Sequence, residues 1–157
     1  VTQRLNDQDF LAVIDATPLI SIDLVVRDQR GQILLGYRDN KPAQHYWFVP
    51  GGRVRKQERL AQAFVRLTQV ELGFSVAMDD ARFLGPYEHL YDDNFLATSG
   101  VGTHYVVLAY EIQLAEGQSC TLDDQHSEQR WWQEHELLAS ALVHANTKAY
   151  FDSSYRL

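Results

Sequence analysis

A single cysteine, Cys120, in 157 residues excludes an internal disulfide and suits a reducing, cytoplasmic compartment. No apolar run approaches the roughly 20 residues that a spanning helix needs, so no membrane role is expected. The opening stretch VTQRLNDQDF is polar and lacks the apolar core of a secretion signal. Internal repeats, linkers and low-complexity tracts are also missing, and a single domain over residues 1–157 is expected. Positive charge is in short supply. With 14 Lys and Arg against 21 Asp and Glu, the net charge of −7 argues against a nucleic-acid surface. An anionic ligand would need a local cationic pocket, and Arg38, Arg53, Arg55, Lys56 and Arg66 are close enough in sequence to supply one.

The composition, 45% hydrophobic and 22% charged, is ordinary for a soluble globular protein with a sizeable core. Asn6 is placed to cap a helix over 7–16, with Phe10, Val13 and Ile14 on one face, stopped before Pro18. Residues 20–27 read as a strand, a turn follows at 28–31, and 32–38 returns as its hairpin partner. After a polar loop over 39–45, residues 47–49 read as a short buried strand leading into Pro50-Gly51-Gly52. A helix is predicted over 58–72, with Leu60, Phe64 and Leu67 as its apolar stripe. Residues 82–91 read as a strand broken near Gly85-Pro86, 92–102 as a mobile loop, and 103–114 as the longest strand. Arg130-Trp131-Trp132 is placed to close the sheet, and helical pieces over 134–139 and 146–155 finish the chain. Strands before and after a central helix give an α+β domain.

Residues 50–74, PGGRVRKQERLAQAFVRLTQVELGF, are the most informative stretch. They resemble the Nudix box, the strand–loop–helix by which Nudix hydrolases hold a metal-bound diphosphate. Gly52, Glu58, Arg66, Glu71, Gly73 and Phe74 match its glycine, acid, arginine, acid, glycine and apolar positions. Two acids are missing: Leu67 and Val70 stand where the box normally carries carboxylates. On a helix, positions 67, 70 and 71 are related as i, i+3 and i+4 and share a face. Three carboxylates there could gather several cations, whereas one suits a single Mg²⁺, which takes one or two protein acids and completes its shell with water and phosphate. The resemblance implies an α/β/α sandwich with a mixed central sheet. It also implies one Mg²⁺ per subunit, replaceable by Mn²⁺, on Glu71 and the backbone at Gly51.

The likeness extends along the chain. LNDQDF, TPLISIDLVV, RDNKPAQHYWFVPGGRV, YDDNF, THYVVLAYEI, DDQHSEQRWW and VHANTKAYF together resemble the GDP-mannose mannosyl hydrolase branch of that family, which lacks the same two acids. The resemblance implies that water displaces GDP at the anomeric carbon of a GDP-sugar, GDP-mannose or GDP-glucose, with inversion. It makes His126 the general base, an imidazole being suited to accept a proton near neutrality. Gln125 becomes a metal ligand through its hard side-chain oxygen. Arg38 and Arg53 match diphosphate-binding positions, where a guanidinium fork fits phosphate oxygens. Asp23 is implied on the sugar side, His89 and Tyr105 near leaving group or sugar, and Phe10 against substrate. Glu58 and Arg66 are expected to brace the box loop. A homodimer is implied, with Phe10 and Leu11 of the first helix as candidate contacts.

By residue type alone, Asp23 is also an exposed strand position, His126 a solvated loop histidine, and the arginines surface charges. A longer loop between Asp93 and His104 departs from the family pattern, and it is a candidate for closing over the sugar. Two other functions stay open: a nucleotide-sugar pyrophosphatase attacking phosphorus, and a sensor that binds a nucleotide sugar without hydrolysing it.

Overall fold

The computed structural model describes residues 4–120 and 128–154. Helix α1 spans Asp7–Ala16 and starts where Asn6 accepts a hydrogen bond from the Asp9 N–H at 2.9 Å, with Asp7 and Asp9 in the positive first turn. Strand β1, Leu19–Arg27, is buried on both faces over most of its length. That fits its rich content of branched apolar residues, because β1 lies inside the sheet with neighbours along both edges. Its partners are β2 (Ile33–Tyr37), β4 (Gly51–Arg53) and β6 (Thr103–Gln113). The outer strands are β3 (Trp47–Phe48) and β7 (Gln129–Trp132), both on β2, and β5 (Arg82–Tyr91), on β6. β1 and β6 run parallel from Leu19↔Tyr105 to Arg27↔Gln113, while the other pairings are antiparallel, so the sheet is mixed.

Helix α2, Leu60–Leu72, packs Ala63, Phe64, Leu67 and Leu72 onto Ile22, Leu24, Val26, Tyr110 and Ile112. The other face of the sheet carries Val25, Ile33, Leu35, Trp47, Phe48 and Trp132 against Leu137 and Val143. Leu137 belongs to α3, Glu134–Ala139, and α4 follows at Ala145–Lys148. The result is the expected α+β architecture, a mixed sheet flanked by helices.

Several local expectations need correction. Helix α2 starts at Leu60 and not at 58, because Gln57 takes a left-handed φ of 64° and Glu58 turns its carboxylate to the Arg55 N–H at 2.9 Å. Leu60 is 39% exposed, so the buried stripe begins one turn later. The helix ends at Gly73, whose φ of 85° suits glycine and whose N–H donates to the Gln69 carbonyl. Gly51 and Gly52 open a further short strand, β4, where the sequence predicted no element. A Cβ on Gly51 would lie 2.5 Å from the Ile22 carbonyl oxygen, so glycine permits β4 to approach β1 this closely. Strand β5 runs unbroken through Gly85-Pro86, with a bulge just before them between Phe83 and Gly85, which an outermost strand tolerates. The helix expected over 146–155 is α4 plus a 3₁₀ turn at Ala149–Phe151.

The loop over 92–102, expected to be mobile, is fastened by its own asparagine. Asn94 is fully buried, donates to the Thr98 and Val101 carbonyls at 2.8 Å each, and accepts from the Leu96 and Thr98 N–H groups. Among the described residues no helix is long and apolar enough to cross a membrane.

Candidate active site

Seven of the residues singled out from the sequence converge on one cavity of about 250 Å³. Asp23 on β1, Arg38 just past β2, Gly51 and Arg53 on β4, Glu71 on α2, His89 on β5 and Tyr105 on β6 all line it. Ser21, Asp39, Asn40, Phe48, Val49, Gly52 and Tyr91 complete the wall. Alternation along β1 puts Ser21 and Asp23 on the face opposite Ile22 and Leu24, as the sequence implied. Exposure does not follow, because the sheet is covered on both faces: Asp23 is 8% exposed.

Burial pushes the Asp23 carboxyl up to about 6, against the lowering effects of a Tyr150 hydrogen bond and the Arg38 charge. That hydrogen bond, Tyr150 Oη to Asp23 Oδ2, is 2.6 Å long. The same hydroxyl lies 3.2 Å from His89 Nε2. Burial pushes His89 down to about 4, with help from His144 and Arg38, so its imidazole is neutral near pH 7. Tyr91 is raised to about 12, chiefly by burial, and stays a phenol; its oxygen takes a 3.3 Å hydrogen bond from Asn146.

The cationic side is built with equal care for position. The Arg53 guanidinium lies 4.0 Å over the ring of Phe10, which itself sits 5.2 Å from Phe95. Phe10 therefore meets Arg53 and is not part of the cavity wall. Arg38 lies over the Phe48 ring at 5.3 Å. Behind the cavity, Arg66 grips Glu58 through two hydrogen bonds of 2.7 and 2.8 Å and donates to the Arg53 carbonyl at 3.0 Å. This is the expected brace, and it ties α2 to the strand that carries Arg53.

Glu71 is 5% exposed and Leu67 is 4% exposed, both turned inward, whereas Val70 is 42% exposed at the helix edge. In place of a second acid, Leu67 packs on Gly52: its Cδ2 lies 2.5 Å from where a Gly52 Cβ would stand. Among the described residues, no three His, Cys, Asp or Glu side chains gather to hold a metal. His126 and Gln125 lie outside the described residues.

Tyr150, Tyr91 and Phe48 were not singled out from sequence. Tyr150 lies in the segment VHANTKAYF, but it is 127 residues from Asp23, and no local spacing links them.

The family model of the NUDIX domain matches residues 17–152. The chain is a Nudix hydrolase. Low-salt glycan biosynthesis protein Agl8 of Haloferax volcanii is 40% identical over 128 residues, covering 81% of this chain and 78% of that relative. The Nudix fold recurs in a MutT protein from Methanosarcina mazei Go1, with TM-score 0.67 and 18% identity over 87% of this chain and 92% of that one. A MutT NUDIX hydrolase from Burkholderia pseudomallei gives TM-score 0.64 and 24% identity over 87% of this chain and 98% of that one. Nudix hydrolases generally use a divalent cation. The donors here fit one hard cation: a buried carboxylate on Glu71 and the Gly51 backbone in the same wall, with room for phosphate oxygens and water.

Proposed function

We propose that this Nudix hydrolase cleaves a GDP-sugar, GDP-mannose or GDP-glucose, to GDP and free sugar by substitution at the anomeric carbon with inversion. The observation that carries the reading is the single acid on the inward face of α2, Glu71, with Leu67 packed on Gly52 where a second acid would stand. Attack at phosphorus benefits from several cations and a base beside the diphosphate. Carbon–oxygen cleavage asks instead that the departing diphosphate be neutralised. One Mg²⁺ held by Glu71, the Gly51 carbonyl and Gln125 would supply part of that charge.

Arg38 and Arg53 supply the rest. Their guanidinium groups are set in place by aromatic faces, so little side-chain freedom is lost when phosphate oxygens bind. Asp23 and neutral His89 offer a buried acceptor and a polar ring for sugar hydroxyls, and Tyr105 shares that wall. The sugar would pass through an oxocarbenium-like state, with water entering from the face opposite the leaving group. His126 is the proposed base for that water. The glycan biosynthesis role in the name of Agl8 fits a nucleotide-sugar substrate. We propose a cytoplasmic homodimer.

The deciding experiment is hydrolysis of GDP-mannose with Mg²⁺ in ¹⁸O-labelled water, followed by mass spectrometry. Label in free mannose with unlabelled GDP is the expected result. Label in GMP or mannose 1-phosphate would mean attack at phosphorus, and binding without turnover would leave a sensor. His126→Gln should keep GDP-mannose binding and lose turnover, and an undiminished rate would remove His126 from the mechanism.

A further inference from the structure

We infer that Tyr150 is the positioning residue of this cavity: its hydroxyl takes a hydrogen bond from His89 Nε2–H, gives one to Asp23 Oδ2, and so sets the His89 tautomer and the Asp23 rotamer. The inference rests on the reading of this cavity as a substrate site.

The hydroxyl carries one hydrogen. At 2.6 Å from a carboxylate oxygen, that hydrogen points to Asp23. The phenol oxygen can then only accept from His89 Nε2, 3.2 Å away, so the ring proton sits on Nε2. Asp23 and His89 are 8% and 4% exposed, too buried for water to take over either contact freely. Removing the hydroxyl would free the imidazole to change tautomer and the carboxylate to change rotamer.

The fold holds Tyr150 firmly. Its ring packs edge-on to Tyr87 at 4.7 Å, against the buried cluster that Tyr87 forms with Val107 and Ala109. The preceding turn is tied to β3, with the His144 N–H donating to the Trp47 carbonyl at 3.2 Å and the Val49 N–H to Thr147 Oγ1 at 3.4 Å. The charged and titratable groups around the triad are Arg38, His144, Tyr87, Tyr91 and Tyr105. Arg38 and His144 act on Asp23 and His89 through charge, whereas Tyr150 hydrogen-bonds to both.

The test is imidazole-nitrogen NMR on ¹⁵N-labelled full-length protein, with His89 assigned from His89→Gln, alongside kinetics on GDP-mannose. In the unmutated protein, His89 should carry its proton on Nε2 at neutral pH. In Tyr150→Phe that preference should be lost, and kcat should fall by about 10- to 100-fold, the range for outer residues that orient a reacting group, with KM moving less. A proton on Nδ1 in the unmutated protein overturns the inference even if the variant fails to fold. So does a fall in kcat with the His89 spectrum unchanged, which would be ordinary loss of packing. The expected spectra with no turnover by either protein would support the positioning role and remove the GDP-mannose reading.

Discussion

His89 is the residue whose environment most plainly couples this site to pH. Its folded pKa of about 4 lies below the ordinary 6.5, so between those values the unfolded chain binds the proton more readily. Its contribution to stability is therefore present above pH 6.5 and is lost as pH falls towards 4. Full loss amounts to roughly 3 kcal/mol at 1.36 kcal/mol per unit. Urea unfolding at pH 7 and pH 5 should show His89→Gln losing less stability on acidification than the unmutated protein; equal losses would contradict the burial argument. Asp23, raised to about 6, works in the opposite sense and is present in both proteins, so it largely cancels in that comparison. Arg53 illustrates what residue type alone cannot reveal. A surface charge and a phosphate ligand look alike in sequence, and the Phe10 ring at 4.0 Å is what gives this guanidinium a fixed plane. Phe10→Ala should weaken GDP binding by about 0.5–2 kcal/mol by calorimetry, through loss of that stacking.

At the scale of the element, α2 and β4 carry the chemistry through close packing. Restoring the missing acids should expose the difference between two neighbouring positions. Val70→Glu, at an exposed site, should change stability by no more than about 0.5 kcal/mol. Leu67→Glu, at a buried one, should cost about 3 kcal/mol without metal and recover part of it with Mg²⁺, read as a Tm rise on adding the cation. Equal tolerance at both positions would mean that Leu67 is not packed as described. The two glycines should also differ. At Gly52 the obstacle is the end of a leucine side chain, whereas at Gly51 it is the Ile22 carbonyl oxygen and the Asp23 carboxylate. Gly51→Ala should be the more destabilising, by thermal melt, because backbone cannot step aside. Nothing in the PGG spelling separates them; strand pairing does.

Across the whole molecule, the site depends on strand order. The β1–β6 parallel pair sets Asp23 beside Ala109, while β5 places His89 opposite Tyr105, and the C-terminal turn delivers Tyr150 between them. The loop after β5 has a composition that reads as mobile, but its buried Asn94 makes four hydrogen bonds. Asn94→Ala should raise amide hydrogen exchange across 92–102 while the exchange of β1 and β6 stays unchanged. Light scattering should return twice the 18.0 kDa chain mass for the proposed homodimer, and a mass of one chain would withdraw it.

The sequence by itself determined the box, its missing acids, the N-cap at Asn6, the α+β class and a set of candidates whose described members, Phe10 excepted, share one cavity. These are written in spacing and in residue type, which act within an element or a few residues beyond it. Tertiary structure alone decided the burial of Asp23, the conversion of Gly51 and Gly52 into a strand, the stacking of Arg53 on Phe10, and the arrival of Tyr150 between an acid and an imidazole. Those contacts join residues many tens of positions apart. Their geometry follows from sheet order and register, which local periodicity does not encode.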